Sequence, residues 1–140
     1  MKRYMFLHHT ADAKFQAFGA TLEEAFANGV LATAFLMWDW KNVEKKIEYP
    51  VEIEARDLKQ LLVNFLEEVI YLLETKMFLL GSAEKIRIEK KKGRFFLKAL
   101  FRGDEYSDKY KIYGNVKAIT YNEMEITNKD FFMIQVVVDV

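Results

Sequence analysis

Apolar residues recur along this 140-residue chain with two periods. Leu22, Ala25, Phe26, Gly29, Val30, Thr33, Ala34 and Met37 follow the steps of three and four that lay side chains on one helix face. Thr21 with Glu24 three places on opens this segment as a capping box, which satisfies the first free amides. A second stripe runs through Leu58, Leu61, Leu62, Phe65, Val69, Leu72 and Leu73, behind Asp57 and Gln60 in the same capping arrangement. Its high apolar content predicts a helix lying in a groove and covered on more than one side.

Elsewhere the period is two. Tyr4 to Leu7 predicts a first strand. Val43, Lys45, Ile47, Tyr49, Val51 and Ile53 alternate with mostly charged neighbours, and Pro50 among them marks an edge or a bulge, because proline cannot donate to a ladder. "MFLL" before Gly81 opens a further strand. "EKIRIEK", "KKG" and "RFFLKALFR" predict a hairpin turning at Gly93, and Val116 to Thr127 with Phe131 to Asp139 predict another turning at "TNKD". "FRGDEYSDKY", Phe101 to Tyr110, reads as an acidic loop after a strand. No linker or repeat interrupts the pattern. The expectation is one domain over residues 1–140, of the α+β class: an antiparallel β-sheet or sandwich with two α-helices packed on it.

Composition narrows the function. Hydrophobic residues make up 51% and charged residues 30%, an ordinary globular balance. Twenty-one basic residues offset 21 acidic ones, so no strong direct nucleic-acid binding is expected and no membrane surface is implied as partner. The absence of cysteine excludes disulfides and thiolate metal sites. No apolar run approaches the roughly 20 residues of a membrane span, and the N-terminus lacks the core of a signal peptide, which makes the cytoplasm the default location. Phosphate-binding glycine loops, zinc-binding histidine pairs at helical spacing and the GxSxG elbow are all missing. A conventional enzyme is not indicated.

Chemistry concentrates at the two ends of the chain. Asp12 closes the small polar stretch "HHTAD" between two strands, and Asp139 follows an apolar run, next to Val140. If the final strand lies beside the first, two side-chain carboxylates and a terminal carboxylate converge, and such a group repels itself unless a cation joins it. Hard oxygen donors with no thiolate favour Ca²⁺ or Mg²⁺ over zinc; Ca²⁺ is the first expectation, with Mg²⁺ or Mn²⁺ as alternatives. His9 and Thr10 would add a ligand or orient Asp12. Taken singly, Asp12 also fits a turn cap and Asp139 a solvated strand end. Lys117, at the start of an apolar strand, either snorkels or reaches a carboxylate or phosphate.

"HTAD", "GATLEEAFANG", "DLKQLLVNFLEEVIYLLE", "GDE", "VKAITYN" and the terminal "VVVDV" occur in this order, and residues 3 to 140 thereby resemble the archease family. The resemblance implies an α+β fold and a metal site built from Asp12 and Asp139, with Val140 as third ligand. It implies an accessory role, not catalysis: activation of the tRNA-splicing RNA ligase, promoting its guanylylation with GTP, broader nucleotide use and multiple turnover. Lys117 falls on the family's lysine motif, as a partner contact. Asn122 stands where the family often has histidine, which puts any acid–base role there in doubt. The alternative reading is a chaperone-like binding module for RNA- and DNA-processing proteins, using exposed aromatics such as Trp38 or Trp40. A free-standing metal-dependent phosphohydrolase fits least, for want of candidate bases.

Overall fold

The computed structural model describes residues 1–140. In chain order it contains β1 (Tyr4–Leu7), β2 (Ala13–Gly19), α1 (Leu22–Phe35), a 3-10 turn (Trp40–Asn42), β3 (Ile47–Ala55), α2 (Leu58–Lys76), β4 (Phe78–Lys91), β5 (Arg94–Glu105), β6 (Ala118–Lys129) and β7 (Phe131–Asp139). Both helices start at the caps the sequence predicts. The Glu24 amide donates to Thr21 Oγ1 at 3.1 Å, and the Gln60 amide to Asp57 Oδ1 at 2.8 Å. The Gln60 side chain reaches back to accept the Arg56 amide, closing the second cap reciprocally. The β4–β5 hairpin turns through Lys92 and Gly93, both at positive φ, as a tight two-residue connection requires.

The strands form two antiparallel sheets, ordered β1-β2-β7-β6 and β3-β5-β4. Pro50 lies on β3, an edge strand, where its missing N–H costs no ladder bond. "MFLL" begins β4 itself, which runs on through two bulges into the hairpin instead of forming a separate strand. Each helix touches strands of both sheets, and no strand of one sheet approaches the other, so the helices make the layer between them. Phe26 of α1 stacks on Phe65 of α2, which in turn packs on Phe101 of β5.

Three expectations are revised. The enclosed helix is α1, not α2: Ala25 through Ala34 are buried, except Ala27, whereas α2 keeps an exposed side at Lys59, Glu67 and Tyr71. Small residues explain this, since Ala25, Gly29, Ala32 and Thr33 let both sheets approach α1 closely; a Cβ on Gly29 would meet Ile134 Cδ1 at 2.7 Å. The supposed loop at Phe101 is strand as far as Glu105, and Asp104 is buried. Its carboxylate accepts the Tyr110 hydroxyl at 2.6 Å and the Glu105 amide at 2.9 Å, which makes burial of the charge tolerable. Trp38 is buried, its indole N–H donating to Leu80 O at 2.9 Å, so it offers no exposed ring.

Candidate functional site

The last strand pairs with β2, not with β1, and this pairing brings the chain ends together. The β2–β7 ladder begins at Gly19↔Phe132 and finishes at Ala13↔Val138. Asp12 directly precedes Ala13 and Asp139 directly follows Val138, so the two aspartates flank the same end of one ladder. Phe15↔Val136 and Ala17↔Ile134 fix the register, because all four side chains are buried against the helix layer. A slip of one residue would turn that whole set outward. Val136, Val137 and Val138 are β-branched and fully buried in a strand flanked on both sides, and the apolar run stops at Asp139.

A third strand end joins them. Ala118 pairs with Asp139, and the Lys117 amide donates to the Asp139 main-chain oxygen at 2.8 Å. The ammonium-bearing side chain of Lys117 is exposed, as are Thr10, Val140 and His8, while Asp12, Asp139 and His9 are half-buried. The structure therefore gathers Asp12, Asp139, Val140, His9 and Lys117 at one tip of the four-stranded sheet. Thr10 lies at the tip loop's surface.

Below the tip, β6 bulges. Tyr121 to Met124 stand opposite the single residue Val136, since Thr120 pairs with Val137 and Glu125 with Gln135. Glu123 sits in this bulge at φ 52, a left-handed conformation. Its carboxylate receives Lys14 Nζ at 2.9 Å and lies 3.1 Å from His9 Nε2. Those two hydrogen bonds, Lys14's first, hold the Glu123 carboxyl below the usual glutamate range. Because a carboxylate only accepts, His9 Nε2 carries the proton. The other ring nitrogen, Nδ1, is buried without a hydrogen-bond partner and stands 3.9 Å from Asp12 Oδ2. Gln135 fixes the bulge from β7 by donating to Glu123 O at 2.8 Å, and Gln16 of β2 donates to Gln135 Oε1 at 2.9 Å. Asn122 is exposed; its amide meets Thr120 Oγ1 at 3.3 Å.

Glu123 and Lys14 were not among the residues the sequence singled out. A signal was present: the inward apolar positions of β6 change parity between Ile119 and Ile126, which requires an irregularity between them.

The tip's donors are oxygen-rich and open. No three His, Cys, Asp or Glu side chains converge as a closed metal cage. Two carboxylates at a ladder end and a main-chain oxygen at Val140 are hard oxygen donors, and the unpartnered His9 Nδ1 lies beside Asp12. The Archease protein family model matches residues 4–140, the span that contains the whole of this tip. The chain belongs to the archease family. Its relatives include archeases of Pyrobaculum neutrophilum, 39% identical over 98% of this chain and 95% of that protein, and of Pyrococcus furiosus, 37% identical over 90% and 89%. The solution structure of Methanobacterium thermoautotrophicum protein 1598 superimposes with a TM-score of 0.85 at 32% identity, each chain covered completely. A Thermotoga maritima structure described as an archease and "possible chaperone" shares the fold at a TM-score of 0.58 and 19% identity, with 96% of this chain and 94% of that one covered.

Proposed function

We propose that this chain is a non-catalytic activator of the tRNA-splicing RNA ligase, acting in the cytoplasm through a divalent-metal-binding acidic tip. The observation that carries the reading is the β2–β7 register, which sets Asp12 and Asp139 at one ladder end. Family membership supplies the link to an accessory role, since archease resemblance implies promotion of ligase guanylylation and multiple turnover.

The residues divide the work as follows. Asp12 and Asp139 would hold the cation through their carboxylate oxygens, with a main-chain oxygen of Val140 as third ligand. His9, anchored by Glu123 through Nε2, would turn its unpartnered Nδ1 lone pair toward the same tip as a further donor beside Asp12. A hard divalent ion supplies positive charge against phosphoryl oxygens. Oxygen donors on strand ends and a loop would be more flexible than a rigid cage, which would favour Ca²⁺ over Mg²⁺. Lys117, exposed beside Asp139, extends a second positive charge toward the ligase or its nucleotide.

Calorimetric titration tests the tip. Wild-type protein is expected to give saturable Ca²⁺ binding, with Mg²⁺ weaker, and Asp139→Asn to lose at least about tenfold in affinity, which is about 1.4 kcal/mol. Equal binding by both proteins would contradict the site. A second reading, a chaperone-like module for RNA- and DNA-processing proteins, takes its support from the description of the Thermotoga protein. It predicts client protection that survives Asp139→Asn.

A further inference from the structure

A groove of about 450 Å³ runs between β1 and the end of α1, lined by Lys2, Arg3, Tyr4, Phe6, Phe35, Trp40 and Lys41. We propose that this groove binds a single-stranded RNA segment, its rings stacking bases and its cations meeting phosphates.

The rings form a continuous series. Phe6 lies over Phe35 with centroids 6.2 Å apart and planes at 27°, and Phe35 meets Tyr113 edge-on at 6.3 Å. Phe6 is 39% exposed and Tyr113 49%, so both rings present aromatic surface to solvent. Their polar heads are already engaged within the protein. Trp40 Nε1 donates to the Tyr4 hydroxyl at 2.9 Å, and the Tyr113 hydroxyl donates to Phe35 O. What remains for a ligand is therefore ring surface, which stacks any base without reading its edges.

Charge selects the ligand class. The Arg3 guanidinium stands 5.5 Å from the centre of the Trp40 ring and Lys41 Nζ 5.7 Å from it. With Lys2 these make three cations against one carboxylate, Asp39, which is occupied in capping the 3-10 turn. Cations beside stacked rings fit an anionic polymer that carries aromatic bases. An extended peptide is served poorly, because β1 exposes a sheet edge of only four residues. Neutral net charge forbids a strong nucleic-acid field but not a local contact of this kind. Phe6 pairs with Phe15, three residues beyond Asp12, so the groove begins on the order of 10 Å along β1 from the acidic tip. The site stands whether or not the tip holds a metal.

Fluorescence anisotropy with a labelled single-stranded oligoadenylate of about ten nucleotides tests it. Saturable binding at low salt is expected, with Phe6→Ala and Tyr113→Ala each weakening it at least about fivefold. Lys41→Ala should lower the slope of log affinity against log salt by about one. Tyr113 and Lys41 are exposed, so those two variants report binding even if Phe6→Ala disturbs packing. Asp139→Asn should bind as wild type does. The assignment is overturned by absence of saturable binding, by unchanged affinity and salt slope in all three groove variants, by loss of binding in Asp139→Asn, or by polyglutamate displacing the RNA as well as unlabelled oligoadenylate does.

Discussion

The ammonium of Lys14 donates to Glu123 Oε1 at 2.9 Å, tying β2 to the bulge of β6 across 109 residues of sequence. The same carboxylate holds His9, and His9 stands beside Asp12. One acidic residue in a bulge thus steadies the loop that presents the candidate metal ligand.

That tie has a pH signature. The folded protein binds a proton at Glu123 less readily than the unfolded chain, so the unfolded state takes up more protons as the solution is acidified. The stabilisation is present above the ordinary glutamate range and is lost as pH falls through the lowered folded value. Glu123→Gln removes this titration. The melting temperature of wild type should exceed that of the variant near neutral pH, and the gap should close in acid. A gap independent of pH would show that the ion pair is not its source.

Tyr110 closes a second polar junction. Its hydroxyl donates to buried Asp104 at 2.6 Å and accepts the Glu44 amide at 3.1 Å, joining β5 to the segments before β3 and β6. The Tyr110 bond is the main cause holding the Asp104 carboxyl below the usual aspartate range. Tyr110→Phe keeps the ring but strands both groups, and should destabilise the fold by about 1 to 3 kcal/mol in urea unfolding. A loss smaller than the measurement error would mean that water replaces the hydroxyl at no cost.

At Gly103, β5 lies close against the backbone of β4. A Cβ there would lie 1.9 Å from Leu79 O, a main-chain atom that cannot rotate aside. Gly103→Ala is expected to cost at least about 3 kcal/mol, seen as a large drop in melting temperature or failure to fold. Near-wild-type stability would require the two strands to separate, and hydrogen exchange at Leu80 would reveal it.

Local signals in the chain carried most of the architecture. Thr21, Asp57 and Gly93 act within a few residues of themselves, and each sits where its capping or turn chemistry demands. Burial depended on more distant partners. Apolar content pointed to α2 as the enclosed helix, yet the small residues of α1 admit two sheets at once. Asp104 looked like a loop acid because its hydrogen-bond donor, Tyr110, lies six residues on in the same stretch and meets it only when the chain folds back. Convergence of Asp12 and Asp139 depends on strand order: β7 pairs with β2 and not with β1, which is short and takes the edge, and that register sets both aspartates at one end of a ladder. The Glu123 bulge left only a parity change between Ile119 and Ile126, and that change does not say what the extra residues touch.

Turnover of the ligase is the most direct measure of the activation proposed for the acidic tip. Purified tRNA-splicing RNA ligase, supplied with GTP, Ca²⁺ and excess RNA substrate, is followed with wild-type protein and with Asp139→Asn of matching melting temperature. Multiple-turnover ligation should appear with the wild type and collapse toward the unassisted level with the variant. Full stimulation by Asp139→Asn would contradict the account.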